Sequence, residues 1–357
     1  MPAPKTRDLE VTRAQLADWL RGKLPGAKSV TIASLSGPSE TGFSSDTLMF
    51  DAEWTDGARA RTERLVARFK PSGFTVFPTY DIAMQFRIMR ALGERSDVPV
   101  PRMRWLEENP RPLGAPFYVM EQVTGRVPSD NPPYHVAGWV PELSPDERAA
   151  LWWSGLDAMA RVHRLDCRAL GLDGLAQPVR GATPLAQQLR EYDEYIAWGM
   201  DASHYPLLDE ARRWLRAHMP REETVGLCWG DSRLGNQIFD RTQCVAVIDW
   251  EMARLGDPVQ DLAWWIVLDR CFSEGLGCER LAGFPDRAAT IARWEQLVGR
   301  PARHLEYYEV LGLYKFAAIM VRVILQMKHY EIFPADSDMD VNNLASQTLA
   351  RVLAEIR

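Results

Sequence analysis

At 357 residues the chain is too long for one comfortable hydrophobic core, which predicts two lobes. With 46% hydrophobic and 25% charged residues it has the composition of an ordinary soluble globular protein, and a net charge of −6 argues against a nucleic-acid scaffold, which would need a basic surface. No apolar run approaches the roughly 18–20 residues of a bilayer span, and the N-terminal MPAPKTRDLEVTRAQ lacks the apolar segment of a secretory signal, so the expectation is a cytoplasmic protein without a membrane partner.

Taken in chain order, Thr12 is expected to cap a short helix, with Gln15 completing a capping box and Leu16, Trp19 and Leu20 forming one apolar face. Strands follow. Val30, Ile32 and Leu35 mark the first, and Leu48, Phe50, Ala52 and Trp54 alternate with polar residues in the second. Asp56-Gly57 is a hairpin turn leading into a third strand over 60–70. A helix over 80–93 turns Ile82, Phe86, Met89 and Leu92 inward, and Val98-Pro99-Val100-Pro101 forms a stiff connector. Two more strands, 103–106 and 116–122, flank a turn-rich stretch.

Residues 1–122 therefore predict a small, mostly antiparallel lobe. Residues 123–357 read differently. A Pro-rich loop at 128–145 precedes helices at 144–164, 184–199, 207–218, 258–269, 285–298, 304–327 and 339–356, interrupted by one apolar hairpin over 225–249. The fold class is α+β, with a small sheet lobe and a large helical lobe. The five cysteines, Cys167, Cys228, Cys244, Cys271 and Cys278, are odd in number and contain no C-x-x-C pair, which predicts reduced, mostly buried thiols.

The chemistry concentrates in Trp229-Gly230-Asp231-Ser232-Arg233-Leu234-Gly235-Asn236 and in Val247-Ile248-Asp249-Trp250. Asp231 follows the apolar residues Val225, Leu227 and Trp229, which puts it where a strand gives way to a loop, and Asn236 closes that loop. Asp249 ends the returning strand of a hairpin that starts beside Asn236, so the hairpin brings the two side by side. An Asp, an Asn and a second Asp in this arrangement suit phosphoryl transfer from Mg-ATP. One carboxylate receives the acceptor hydroxyl, while the amide oxygen and the other carboxylate hold Mg²⁺.

The D-x-x-x-x-N loop with a strand-ending Asp downstream resembles the bilobal protein-kinase-like fold. Three further features are similar to the aminoglycoside phosphotransferase family: Leu255-Gly256-Asp257-Pro258-x-x-Asp261-Leu262-Ala263, Gly42-Phe43-Ser44-Ser45-x-Thr47-Leu48 and Pro116-Phe117-Tyr118-Val119-Met120-Glu121. Within that family the resemblance is to the branch that includes the kinase-like part of acyl-CoA-dehydrogenase fusion proteins and its actinobacterial relatives. It covers nearly the whole chain.

The resemblance implies ATP and Mg²⁺ as cofactors. Asp231 is then the base and Arg233 a contact to the γ-phosphate. Asn236 and Asp249 are metal ligands, and Gly42, Ser44 and Ser45 form a phosphate loop. Arg68 is the third-strand cation, with Lys70 in reserve, and adenine binds at the backbone near Glu121 and Val123. Two departures stand out. Trp229 occupies the place of a usual His, and Gln85 that of a usual Glu, so Gln85 is expected to hydrogen-bond to Arg68 and Asp81 to compensate its charge.

Other polar residues read as structural. Asp257 and Pro258 open a helix as cap and first residue. Asp261 braces the catalytic loop, and His163 caps a helix C-terminus. The pairs Trp152-Trp153, Trp264-Trp265 and Tyr307-Tyr308 read as packing, with one ring of each available to wall a cleft. The absence of G-x-x-x-x-G-K-[ST] argues against a P-loop NTPase. The function implied is a small-molecule kinase acting on a hydroxyl. The alternatives are a nucleotide-binding pseudokinase or a kinase of hydroxyacyl thioesters. Glu251, Asp269 and Glu274 are the acids available to meet a polycationic acceptor.

Overall fold

The computed structural model describes residues 7–37, 46–57, 59–176, 178–201 and 204–356. The first helix, α1 (Leu9–Lys23), starts one turn earlier than the Thr12 signature suggests. Asp8 caps it, its carboxylate accepting from the Glu10 and Val11 amides at 3.0 and 3.2 Å, while Thr12 is buried inside the helix. Leu16, Trp19 and Leu20 cover a five-stranded antiparallel sheet built from β1 (Ala27–Ser36), β2 (Asp46–Asp56), β3 (Arg59–Phe69), β4 (Met103–Glu107) and β5 (Phe117–Glu121) in the order β1-β2-β3-β5-β4. The period-two pattern of β2 turns Leu48, Phe50 and Ala52 into the core under α1. Register sets Arg68 opposite Thr47 on one side and Tyr118 on the other, so the cation sits mid-sheet.

Between β3 and β4, α2 (Ile82–Arg95) is capped by Asp81, whose carboxylate accepts from the Met84 amide at 2.7 Å. Its apolar residues join the core of the helical part rather than the sheet core. That part contains α3 (Pro145–His163), α4 (Pro184–Gly199), α5 (Pro206–Ala217), α6 (Val259–Phe272), α7 (Arg287–Val298), α8 (Leu305–His329) and α9 (Leu344–Glu355). Helix α3 opens with the Ser144–Glu147 capping box. Helix α6 is buried around nearly its whole circumference and packs on α8.

The apolar hairpin is more elaborate than expected. β7 (Gln237–Asp240) and β8 (Gln243–Val247) form it, while β6 (Gly226–Cys228) pairs instead with a short strand that carries no sequence pattern, β9 (Arg254–Gly256). One expectation is corrected: α8 is long and apolar enough to cross a bilayer by length and composition, although 72% of that window is buried inside the protein. All five cysteines are free.

Candidate active site

The loop after β6 is shaped by its backbone. Gly230 has φ of 96°, and a Cβ there would lie 2.2 Å from the Met252 carbonyl oxygen, so only glycine fits this turn. Asp261, in the first turn of α6, holds the turn from below. Its carboxylate accepts from the Trp229 amide at 2.6 Å and the Gly230 amide at 3.0 Å, and its carbonyl accepts from Ser232 Oγ at 2.7 Å.

His163 completes this brace and is no simple helix cap. Its Nε2 stands 3.0 Å from Asp261, and the Trp294 indole donates to its Nδ1 at 2.9 Å. An indole N–H can only donate, so Nδ1 accepts, Nε2 carries the proton, and the ring is neutral. Substituting Asp261 by alanine should leave these buried donors without an acceptor, at a cost of roughly 3 kcal/mol or more. The thermal unfolding midpoint should fall accordingly, and an unchanged midpoint would remove Asp261 from this role.

One α-helical turn further on, Trp264 donates its indole N–H to Asp231 Oδ1 at 2.9 Å. The Trp264-Trp265 pair therefore divides its work, since Trp265 packs on Trp152 at 5.1 Å between centroids. Asp231 also accepts from Arg233 Nε at 3.0 Å and from Asn236 Nδ2 at 2.7 Å. Arg233 is anchored on its other side by Asp130, a contact absent from the sequence reading. Burial opposes its charge, yet Asp130 and Asp231 together hold its pKa above the usual value. Asp130 lies in the Pro-rich loop and reaches so close to Gly235 that a Cβ there would stand 2.2 Å from its carboxylate.

Asn236 and Asp249 meet as the hairpin predicts. The Ile248 amide donates to the Asn236 carbonyl at 3.0 Å, so Asp249 follows directly beside Asn236. Asp249 adopts φ of 60°, in the left-handed region that Asp tolerates better than most residues and that is enriched at functional sites. Trp229, which stands where a His is usual, braces the loop in its own way: its indole N–H donates to the Ile248 carbonyl at 2.9 Å and ties the loop to the residue preceding Asp249.

Across the cleft, Arg68 donates to Asp249 at 2.8 Å and stands 3.6 Å from Glu251. Burial opposes the Arg68 charge, but Asp249, Tyr118 and Glu251 hold its pKa above the usual value. The Gln85 and Asp81 expectations are corrected here. Gln85 accepts from the Tyr118 hydroxyl at 3.4 Å, Asp81 is occupied as a helix cap, and the carboxylates facing Arg68 come from the segment after β8. Lys70 lies past the end of β3, exposed and without an ion pair among the described residues, so it is not brought to this cluster.

Glu121 ends β5 with its carboxylate paired to Arg104 at 2.9 Å, and Val123 follows, half-buried. Gly42, Ser44 and Ser45 lie outside the described residues.

Asn236 and Asp249 offer hard oxygen donors, one amide and one carboxylate. Among the described residues no group of three or more His, Cys, Asp or Glu could hold an ion alone. That donor set fits a Mg²⁺ ion whose other ligands are phosphate oxygens and water. Arg68 Nε is enclosed with no hydrogen-bond acceptor among the described residues, and a phosphate oxygen would satisfy it.

Residues 44–298, well over half of the chain, match the model of the phosphotransferase enzyme family, APH. The chain belongs to this family. Mouse acyl-CoA dehydrogenase family member 10 is 32% identical over 266 residues, covering 73% of this chain and 23% of that protein. The probable acyl-CoA dehydrogenase IBR3 of Arabidopsis thaliana is 29% identical over 286 residues, covering 75% of this chain and 34% of that protein. The chain thus spans about a quarter to a third of the length of these relatives.

Among solved structures, a Ralstonia eutropha protein assigned to the aminoglycoside phosphotransferases aligns over 96% of this chain and 98% of its own, with 24% identity and a TM-score of 0.69. Aminoglycoside phosphotransferase APH(4)-Ia, in a ternary complex with AMP-PNP and hygromycin B, aligns over 96% of this chain and 98% of its own, with 16% identity and a TM-score of 0.57. These two likenesses establish the protein-kinase-like fold.

Proposed function

We propose that the protein transfers the γ-phosphoryl group of Mg-ATP to a hydroxyl of a small molecule. The observation that carries this reading is the convergence of Asp231, Arg233, Asn236, Asp249 and Arg68 on one cleft between the sheet and the helical part. Asp231 orients the acceptor hydroxyl and takes its proton as the oxygen attacks the γ-phosphorus. The bond from that phosphorus to the bridging oxygen breaks, and ADP leaves.

Arg233, fixed between Asp130 and Asp231, lies close enough to the base to meet the transferred phosphoryl group. Arg68 anchors the nucleotide phosphates. Asn236 and Asp249 would hold Mg²⁺, which when bound neutralises charge on the phosphate oxygens. The adenine would meet the backbone near Glu121 and Val123, and Gly42, Ser44 and Ser45 would approach the phosphates.

The family and the AMP-PNP complex of a structural neighbour support nucleotide use. A hydroxyacyl thioester acceptor is the reading suggested by the acyl-CoA dehydrogenase relatives, and an aminoglycoside the one suggested by the structural neighbours. A nucleotide-binding module without turnover is favoured by one observation, the Arg68 cation seated on Asp249. ADP release measured with Mg-ATP across a metabolite extract separates these readings. Acceptor-stimulated release with a phosphorylated product supports the kinase, whereas nucleotide binding with no release above a buffer blank supports the module.

A further inference from the structure

Helix α8 buries a lysine without an ion pair among the described residues. Lys315 is 3% exposed, and no carboxylate stands within salt-bridge distance of it among the described residues. Its contacts are aromatic: Nζ lies 4.8 Å from the centroid of Trp264 and 6.0 Å from that of Tyr192. Trp264 is the residue whose indole N–H holds Asp231. One indole thus has the base at its edge and an ammonium over its face. Tyr192 lies in the fields of both Asp231 and the Arg254–Glu191 pair, so the lysine and the base border the same region.

The nearby Glu191 is already engaged by Arg254, and the Asp261 carboxylate is taken up by His163 and the Trp229 and Gly230 amides, so neither acid holds the Lys315 ammonium directly. A leucine or methionine at this position would pack without the cost of burying an unpaired charge. Such a break with local logic is characteristic of functional positions. Burial first, and then Arg254, push the Lys315 ammonium down to about 8, against the opposing pull of Asp261, Cys228 and Glu191.

The acids available to meet a polycation are occupied elsewhere. Glu251 faces Arg68, and Glu274 pairs with Arg270. Asp269 is buried under Tyr134, His135 and Arg280.

Resting on the phosphotransfer reading, we propose that Lys315 binds an anionic group, a carboxylate or a phosphate, on the hydroxylated acceptor, about one indole width from the hydroxyl that Asp231 receives. The site then selects anionic over cationic acceptors.

The test uses the full chain with Mg²⁺ and AMP-PNP, titrated with ω-hydroxycarboxylates of graded length, their primary amides, the matching amino alcohols, and glycerol 3-phosphate. Carboxylates or the phosphate should bind about tenfold or more tighter than the amides. Lys315→Met should erase that preference and Lys315→Arg should keep it, with AMP-PNP affinity unchanged in both and unfolding midpoints recorded for each.

The preference should also fade as pH rises through about 8 while amide binding stays flat. The groups facing Lys315 are Arg254 on β9, Asp261 on α6, Cys228 on β6, and Glu191 and Tyr192 on α4. Burial holds the Cys228 and Tyr192 protons in place across that window. Equal or better binding of amides or amino alcohols overturns the proposal, as does a preference that survives in Lys315→Met, or a series in which no anionic probe binds. Failure of the phosphotransfer reading shows separately, as a wild-type chain that binds Mg-nucleotide yet releases no ADP above a buffer blank with any of these probes or with the metabolite extract.

Discussion

Replacing Asp231 by alanine should lower phosphoryl transfer by about a thousandfold while leaving the affinity for Mg-nucleotide nearly unchanged. The Asp231 carboxylate can take a proton from an incoming hydroxyl while being held still. Trp264 and Arg233 donate to one oxygen and Asn236 to the other, so the side chain has a fixed orientation. Its removal spares the proposed nucleotide machinery, because Asn236 keeps a second hydrogen bond to the Asp231 backbone carbonyl at 3.0 Å and Arg233 keeps Asp130. Coupled ADP release measures the transfer, and AMP-PNP titration measures the affinity. Normal transfer in Asp231→Ala would sink the assignment of the base.

What the sequence made legible was local. Asp231 and Asn236 are five residues apart on one loop, and strand periodicity carries Asp249 back to them, so the trio follows from short-range rules. Helix and strand positions followed likewise from apolar spacing. The errors at α1 and β9 arose where two signals competed or none existed. Asp8 and Thr12 are both capping residues one turn apart, and three residues of β9 have no period.

The remaining features are long-range pairings that spacing cannot encode. Arg68 and Asp249 are 181 residues apart, and Arg233 and Asp130 are 103 apart. Trp264 was closer to being readable. It lies three residues after Asp261 on the same helical face, so the brace read at Asp261 carried a signal for a loop contact at Trp264 that the reading of the pair as packing passed over. Lys315 was hidden in a helix whose other residues read as core.

The charge balance across the cleft explains why Gln85 in place of an acid is tolerated. Arg68 needs a carboxylate, and here Asp249 and Glu251 supply it from the far side of the cleft. The cation proposed to anchor phosphates is therefore held by a proposed metal ligand, an arrangement that would couple nucleotide, ion and lobe contact in one place. Binding of Mg²⁺ at Asp249 would weaken the carboxylate's hold on Arg68 and free the guanidinium for phosphate oxygens, so ion and nucleotide should bind together rather than independently.

Asp249→Ala tests that coupling. In the wild type, Mg²⁺ should raise AMP-PNP affinity; in the variant it should not, and turnover should fall by at least roughly a hundredfold, more than loss of an outer-shell partner would cost. Stability should suffer less than removal of one partner from a fully buried ion pair, which costs about 3–5 kcal/mol. Asp249 keeps 17% side-chain exposure, and Glu251 remains 3.6 Å from Arg68 as a substitute partner. Nucleotide titration with and without Mg²⁺, beside a thermal melt, reads both effects. A Mg²⁺-dependent gain in affinity that persists in Asp249→Ala would move the ion to other ligands, and a melt lowered as far as that of Asp261→Ala would make Asp249 a structural residue first.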